Sequence, residues 1–506
     1  MSPLPLPPRL VVAGTHSGVG KTTVATGLMA ALRARGVRVA SAKVGPDFID
    51  PGYHALATGR PGRNLDSWMC GTAALPALAR QAALGADLLV IEGVMGLFDG
   101  ASWLPAGDGD GDAGECSTAE VALALDAPVL LVVDASAMSS SIAAVVHGYR
   151  SVHPRLRLAG VLCNRVGSAS HADALSRALA DLPGARTPVL GMLGRDERLT
   201  WRDRHLGLVP VVEQPGEVSA ALDRLATAIA AAVDLDAVVR LARSPSGHEP
   251  GTPPGAATGP DPGAGLAPTR WTAGARRVRI AVAGGRAFTF AYPDNLERLE
   301  DAGAELVPFD PLEDRRLPDG VAGLYAGGGF PEVYAGHLAA NTPLLAEIRA
   351  RVQGGLVTWA ECGGMLWMCE TLDGNPLCGA LPASASMTRA RTLGYRTAAV
   401  LRTSPVASAG EQLRGHEFHY SALDRPGDAL ALCGRDGTRS EGFATPSLLA
   451  TYLHLHLGAD PRPAERFVAA AAGADDIAAA ARVVTGGDAA PLAVTAEAPG
   501  DGSIGR

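Results

Sequence analysis

The run Gly14-Thr15-His16-Ser17-Gly18-Val19-Gly20-Lys21-Thr22-Thr23 follows the apolar segment RLVVAG and precedes an Ala-rich amphipathic stretch. Glycines in a strand-to-helix turn let backbone N–H groups converge on phosphate oxygens, the helix N-terminus adds its dipole, and a lysine meets the terminal phosphates. Ser17, Gly18, Gly20, Lys21, Thr22 and Thr23 are therefore candidate ATP-binding residues, with the Thr22 hydroxyl suited to magnesium. The loop is a variant, because the usual pattern asks for Gly where Thr15 stands. A purely structural glycine turn is the bland alternative, and composition argues against it. Of 44 Lys plus Arg, only Lys21 and Lys43 are lysine. A lysine kept against that bias suits a cradle needing a compact ammonium rather than a planar guanidinium.

The second lysine opens Lys43-Val44-Gly45-Pro46-Asp47-Phe48-Ile49-Asp50-Pro51, at the end of a predicted strand. Two acids three apart beside a lysine suit magnesium and an anion next to the γ-phosphate, although an Asp-Pro turn with solvated carboxylates is the plain alternative. The apolar LLVIEG ends on Glu92, where nucleotide sites place a second magnesium anchor. The candidate metal ligands are thus Thr22, Asp47 and Glu92. Lys43, Asp47, Asp50 and Asp99, the last in VMGLFDG, are the candidates for substrate binding or phosphoryl transfer. Asn164 ends GVLCN, where its amide suits an adenine edge or merely caps a helix.

Downstream, Trp359-Ala360-Glu361-Cys362-Gly363-Gly364-Met365 places a cysteine on a tight turn between an apolar strand and a helix. Exposure at a helix N-terminus would lower the thiol pKa, and the Gly363 N–H would face an oxyanion. Gly327-Gly328-Gly329 offers a second donor through Gly328. Tyr452-Leu453-His454-Leu455-His456 offers a base, His454 or His456. An inert buried thiol and a satisfied structural histidine are the alternatives. The three motifs together favour nucleophile plus base, with Cys362 as the nucleophile and His454 or His456 as the base.

The elements that must hold these residues follow the same pattern twice. Short β-rich runs alternate with helical stretches before about residue 243, including a helix over Lys21–Arg35. The alternation resumes after residue 275 with VRIAVAG, a helix around Asn295–Asp301, AELVPFD, VAGLYAGGG and GLVTWAECGG. Such alternation predicts an α/β protein of two doubly wound domains, over 1–243 and 275–485, with ligands at C-terminal strand ends. Between them, 244–274 is rich in Gly, Pro, Ala and Thr and reads as a linker; 486–506 reads as a disordered tail. A net charge of −8 and a pI near 5.9 give no reason to expect nucleic acid or an anionic membrane as partner. The N-terminus MSPLPLPPRL lacks a signal-peptide pattern, and the seven cysteines form no C-x-x-C pair, so a cytoplasmic location is expected.

On these motifs the first half resembles the dethiobiotin synthetase-like branch of P-loop proteins. The second resembles the class I, triad-type glutamine amidotransferases. The order of KVGPDFIDPGYH, RNLDSWM, IEGVMGLFDG, RHLGLV, AECGGM and YLHLHL, over roughly residues 9 to 470, is similar to the cobyrinate a,c-diamide synthase family. The resemblance implies L-glutamine, ATP with Mg²⁺ and a corrinoid tetrapyrrole carboxylate, cobyrinic or hydrogenobyrinic acid, as ligands. It implies that Cys362 and His454 release ammonia, which displaces phosphate from an acyl phosphate formed in the first half. Triad enzymes usually carry Glu two residues after the histidine, where this chain has His456, so the third member is missing or altered. Nickel-sirohydrochlorin diamide synthase and cobyric acid synthase are the alternatives within the class, and a partitioning-type ATPase switch is the alternative outside it. A homodimer is one option that the sequence leaves open.

Overall fold

In a computed structural model of the chain, the described residues are 5–101, 115–180, 187–196, 203–204, 207–208, 215–244 and 277–485. The expected linker, apart from Ser244, and the expected tail lie outside them.

The apolar runs of the first half form one parallel sheet: β1 (Arg9–Gly14), β2 (Val39–Val44), β3 (Arg63–Leu65), β4 (Leu88–Glu92), β5 (Val129–Asp134), β6 (Leu158–Val166) and β7 (Val189–Gly194). Their spatial order is β3-β2-β4-β1-β5-β6-β7. Strands this uniformly apolar are needed because both faces are covered. On one face, α1 (Lys21–Ala34) packs on the helix Pro215–Ala232, and Gly27 lets them approach: a Cβ there would lie 2.7 Å from side-chain atoms of both Leu225 and Ile229. The connections diverge at β1, which pairs with β4 on one side and β5 on the other. A crevice opens at such a switch point, and the glycine-rich loop leaves β1 there.

The second half has a six-stranded sheet in the order Ala304–Phe309, Val278–Ala283, Gly323–Ala326, Val357–Glu361, Leu448–Thr451, Phe443–Thr445, parallel except at its last pair. Trp359 is fully buried between Tyr325 and Phe467, at ring separations of 5.3 and 5.7 Å. Beside it lies a sheet the sequence does not announce, built on the antiparallel pair Ser384–Val400 and Gln412–Leu423. The short strand His454–Leu455 pairs with Gly415 and His416 of that hairpin. The same hairpin reaches the first half, where Tyr395 donates to Asp66 at 2.8 Å. Among the described residues, no helix is long and apolar enough to cross a membrane.

Candidate active site

At the end of β1, Gly18 and Gly20 adopt positive φ, 80° and 97°, turning the loop over the start of α1. Gly14 is needed for another reason: a Cβ there would stand 2.5 Å from Val19 and 2.8 Å from the Lys21 stem. Lys21 is buried, and burial followed by the charge of Lys43 lowers its pKa to about 8. An ammonium destabilised in this way gains most when a phosphate arrives. Asn164, the candidate for the adenine edge, is tied to the loop. Its amide N–H₂ donates to the Val19 carbonyl at 2.9 Å, and its oxygen accepts the Arg165 N–H, so it braces the loop from β6. Arg165 helps by donating to the Gly18 carbonyl at 2.9 Å.

Glu92, at the end of β4, is fully buried and engaged by three groups. Its Oε1 accepts from the Thr22 hydroxyl at 2.6 Å and the Lys43 ammonium at 2.9 Å, and its Oε2 lies 2.6 Å from His54 Nε2. Lys43 also meets Asp50 at 2.7 Å. Burial alone would lower the Lys43 pKa, but Asp50, Glu92 and Asp47 outweigh it and hold the ammonium charged. Burial likewise opposes ionised Glu92, and Lys43 and His54 override it, keeping the carboxylate well below its ordinary pKa.

Asp47 lies beside this set, next to Asp50 and within the field of Lys43. Its Oδ1 accepts the backbone N–H of Ile49 at 2.7 Å and of Asp50 at 3.3 Å, because the Gly45–Asp47 turn is held back by Asn64, which donates to both carbonyls. Asp50 takes the inner place instead, 3.4 Å from the Thr22 hydroxyl. Burial and the neighbouring Asp50 charge push the Asp47 carboxyl up to about 7. Among the described residues no three His, Cys, Asp or Glu form a preformed metal cluster. The oxygens of Thr22, Asp50 and Glu92 are nevertheless the hard donors magnesium prefers when it keeps several waters. Asp99 caps its own loop, accepting the Gly96 N–H at 2.9 Å. Ser17 is exposed at the loop's outer edge, and Thr23 is half-buried in the first turn of α1. His54 was missed in the sequence. The available signal was its spacing from Asp50, one turn on in the helix α2 (Asp50–Thr58), which puts both on one face.

In the second half Cys362 sits between the strand Val357–Glu361 and the helix Gly363–Met368 with φ 48°, a region side chains rarely occupy. Such strain recurs where a nucleophile must project from a turn. The glycines after it serve close approach: a Cβ on Gly364 would lie 2.0 Å from the Ala326 carbonyl, and one on Gly363 would lie 2.8 Å from Gly329 N. Two expectations are corrected. The thiol pKa is raised rather than lowered, because burial and the carboxylates Glu332, Glu417 and Glu361 outweigh the Gly363 N–H of a short helix. The Phe418 carbonyl also covers the sulfur at 3.8 Å. The Gly328 N–H is not free for an oxyanion, since it donates to Phe290 at 2.9 Å. Gly329 is the member of the triple glycine that faces Gly363.

His454 lies over Gly328, where a Cβ would stand 2.6 Å from its Cε1. Burial lowers its pKa to about 3, which leaves a neutral imidazole able to accept a proton. Its Nδ1 has no hydrogen-bond partner and lies 4.0 Å from Glu361 Oε2. Phe48 of the first half packs on the same ring at 4.8 Å. His456 points elsewhere, its Nδ1 3.2 Å from Cys70 Sγ and its ring 4.6 Å from Tyr292.

Comparison with known proteins places both halves. Residues 10–209 match the CobQ/CobB/MinD/ParA nucleotide binding domain, and residues 279–462 match the CobB/CobQ-like glutamine amidotransferase domain. The chain is 47% identical to hydrogenobyrinate a,c-diamide synthase of Streptomyces coelicolor, over 91% of this chain and 97% of that one. It is 48% identical to the protein of the same name from Thermobifida fusca, over 92% and 96%. Cobyrinate a,c-diamide synthase of Syntrophotalea carbinolica is 42% identical, over 91% and 98%. A nucleotide-binding half and a glutamine amidotransferase half in one polypeptide, with relatives this similar over nearly their whole length, mean that the chain belongs to the hydrogenobyrinate and cobyrinate a,c-diamide synthase family.

Proposed function

We propose that this enzyme converts the a and c carboxylates of hydrogenobyrinic acid to amides, with ATP as activator and glutamine as nitrogen donor. The metal-free macrocycle is chosen over cobyrinic acid because the relatives at 47% and 48% identity carry that name. The observation that carries the reading is the presence in one chain of two distinct sites, the Lys21–Lys43–Glu92 cluster and the strained Cys362 turn.

In the first half, the phosphate loop from Ser17 to Thr23 binds ATP, and Lys21 and Lys43 supply fixed positive charge. The substrate carboxylate attacks the γ-phosphorus and ADP leaves, giving an acyl phosphate. Ammonia then attacks the acyl carbon, phosphate departs, and the loss of one proton leaves the amide. Thr22, Asp50 and Glu92, with Asp47 beside them, would hold magnesium, which when bound draws charge from the transferring phosphoryl oxygens. In the second half, His454 takes the Cys362 proton as sulfur attacks the glutamine amide carbon. The proton then passes to the departing nitrogen, ammonia leaves, and water hydrolyses the thioester to glutamate. The backbone N–H groups of Gly363 and Gly329 serve the oxyanion.

Nitrogen-source assays on two variants test this separation. Cys362→Ser should lose glutamine-dependent synthesis but keep synthesis from added ammonium, whereas Lys21→Ala should lose synthesis from both while still hydrolysing glutamine. Undiminished glutamine use by Cys362→Ser contradicts the assignment.

A further inference from the structure

Burial leaves His454 with an electrostatic problem that its sequence neighbours do not solve. The imidazole is 1% exposed, and its Nδ1 has no partner. For Nε2 to accept a proton, Nδ1 must carry one, and a buried N–H without an acceptor is costly. His456, two residues on, is turned into the seam between the halves, where the Gly458 N–H donates to its Nδ1 at 3.1 Å. Glu417, on the adjacent strand, is held by Arg396 at 2.6 Å and by Arg439. Among the described residues, Glu361 is the acid that faces Nδ1, at 4.0 Å, with no arginine on it; burial raises its pKa to about 8, a shift that an imidazolium forming beside it would reverse.

Glu361 is 2% exposed at the end of the strand Val357–Glu361, immediately before the strained Cys362. Its Oε1 accepts the Leu455 N–H at 3.2 Å, and its Oε2 accepts the Tyr325 hydroxyl at 3.0 Å. The carboxylate is therefore fastened to the backbone of the residue following His454, and cannot drift from the ring without breaking that bond. Oε2 stands 4.0 Å from Nδ1, about an ångström beyond hydrogen-bond length. Contacts of this kind in a site without substrate are often long and tighten only with substrate bound.

Building on the glutaminase assignment above, we propose that Glu361 is the positioning residue for His454, accepting the Nδ1 proton and so presenting Nε2 as the base toward Cys362. The nucleophile and the orienting acid would then be consecutive residues of one strand end. The acid would approach the histidine from the nucleophile's strand, not from the histidine's own segment. That arrangement explains why His456 is available for a different contact, with Cys70.

Glu361→Gln in the full-length protein tests this, because it preserves side-chain size and an acceptor for Leu455 while removing the carboxylate. The expected result is a fall of about 10-fold or more in kcat for glutamine hydrolysis with KM for glutamine within twofold, as befits a group acting on the base and not on binding. Ammonium-dependent amidation and the melting temperature should stay near wild type. Labelling of Cys362 by a glutamine-like diazoketone, followed by mass spectrometry, should slow in parallel and needs no turnover. Wild-type kcat and labelling rate in Glu361→Gln overturn the proposal, as does a variant that loses ammonium-dependent synthesis and melting temperature together. Wild-type protein and Cys362→Ser run alongside separate the two levels. Absence of glutamine hydrolysis in wild type removes the glutaminase reading and this proposal with it. Normal wild-type hydrolysis with an unaffected Glu361→Gln removes only the positioning role.

Discussion

Asp47 and Glu92 are both acids of the synthetase site, but their surroundings oppose each other. Glu92 has lost its water and gained Thr22, Lys43 and His54. Removing its charge leaves Lys43 with Asp50 as its one close carboxylate, and breaking a buried pair in this way costs about 3–5 kcal/mol. Glu92→Gln should therefore lower both the melting temperature and turnover. Asp47 is half-buried, and its neighbour Asp50 repels its charge. Asp47→Asn relieves that repulsion, so it should melt at or above the wild-type temperature while amidation falls by about 10²-fold, the scale of one lost electrostatic contact. Thermal melting and turnover at saturating magnesium, measured on both variants, check the contrast. Normal turnover in Asp47→Asn would remove Asp47 from the site.

At the scale of elements, the strand Gln412–Leu423 links acid sensitivity to the glutaminase half. It places His416 opposite His454, and burial lowers both pKa values to about 3. The unfolded chain binds these protons near the ordinary value of about 6.5. Between roughly pH 6.5 and 3 the unfolded state binds these two protons better, so the pair's own contribution to stability falls as pH is lowered through that window. Buried acids such as Glu361 and Glu441, whose pKa values are raised, contribute in the opposite direction. Melting curves of wild type and His416→Gln at pH 7, 6, 5 and 4 isolate the histidine contribution, because the slopes of the two should differ, with the variant losing less stability towards acid. An unchanged slope would mean that His416 charges without cost.

This strand also marks where the sequence was hardest to read. The parallel strands were legible because both faces are buried and their runs are uniformly apolar, as in LLVIE and VLLVVD. The turns GTHSGVGKTT and ECGG were legible because chemistry restricts their residues. The hairpin carries TRARTLGYRT, polar and largely exposed through its middle, so no apolar alternation announces it. The detailed site followed the same division. Lys21, Lys43, Glu92, Cys362 and His454 stood out by type and place. The inner position of Asp50 beside Thr22, the pairing of Gly328 with Phe290 and the bracing role of Asn164 depend on distant hydrogen bonds that spacing does not encode. The thiol pKa is set by burial, which a strand-turn-helix motif does not reveal, more than by the helix N-terminus that the motif does reveal.

Across the whole molecule, one seam joins the two chemistries. Phe48, from the loop carrying Asp47 and Asp50, stacks on Phe290 at 5.0 Å and lies against His454. Arg63 at the edge of the first sheet donates to Asp294 and Glu297 at 3.0 Å each, and Cys70 meets His456. These contacts join the two halves directly, with Phe48 bridging the loop of Asp47 and the ring of His454. The central claim is that glutamine-derived nitrogen ends in the macrocycle. Its most direct test is the product mass after incubation of the full-length enzyme with hydrogenobyrinic acid, ATP, magnesium and glutamine labelled with ¹⁵N in its amide. The account predicts a diamide carrying two ¹⁵N atoms, one at each of the a and c side chains; an unamidated product, or amides without the label, would contradict it.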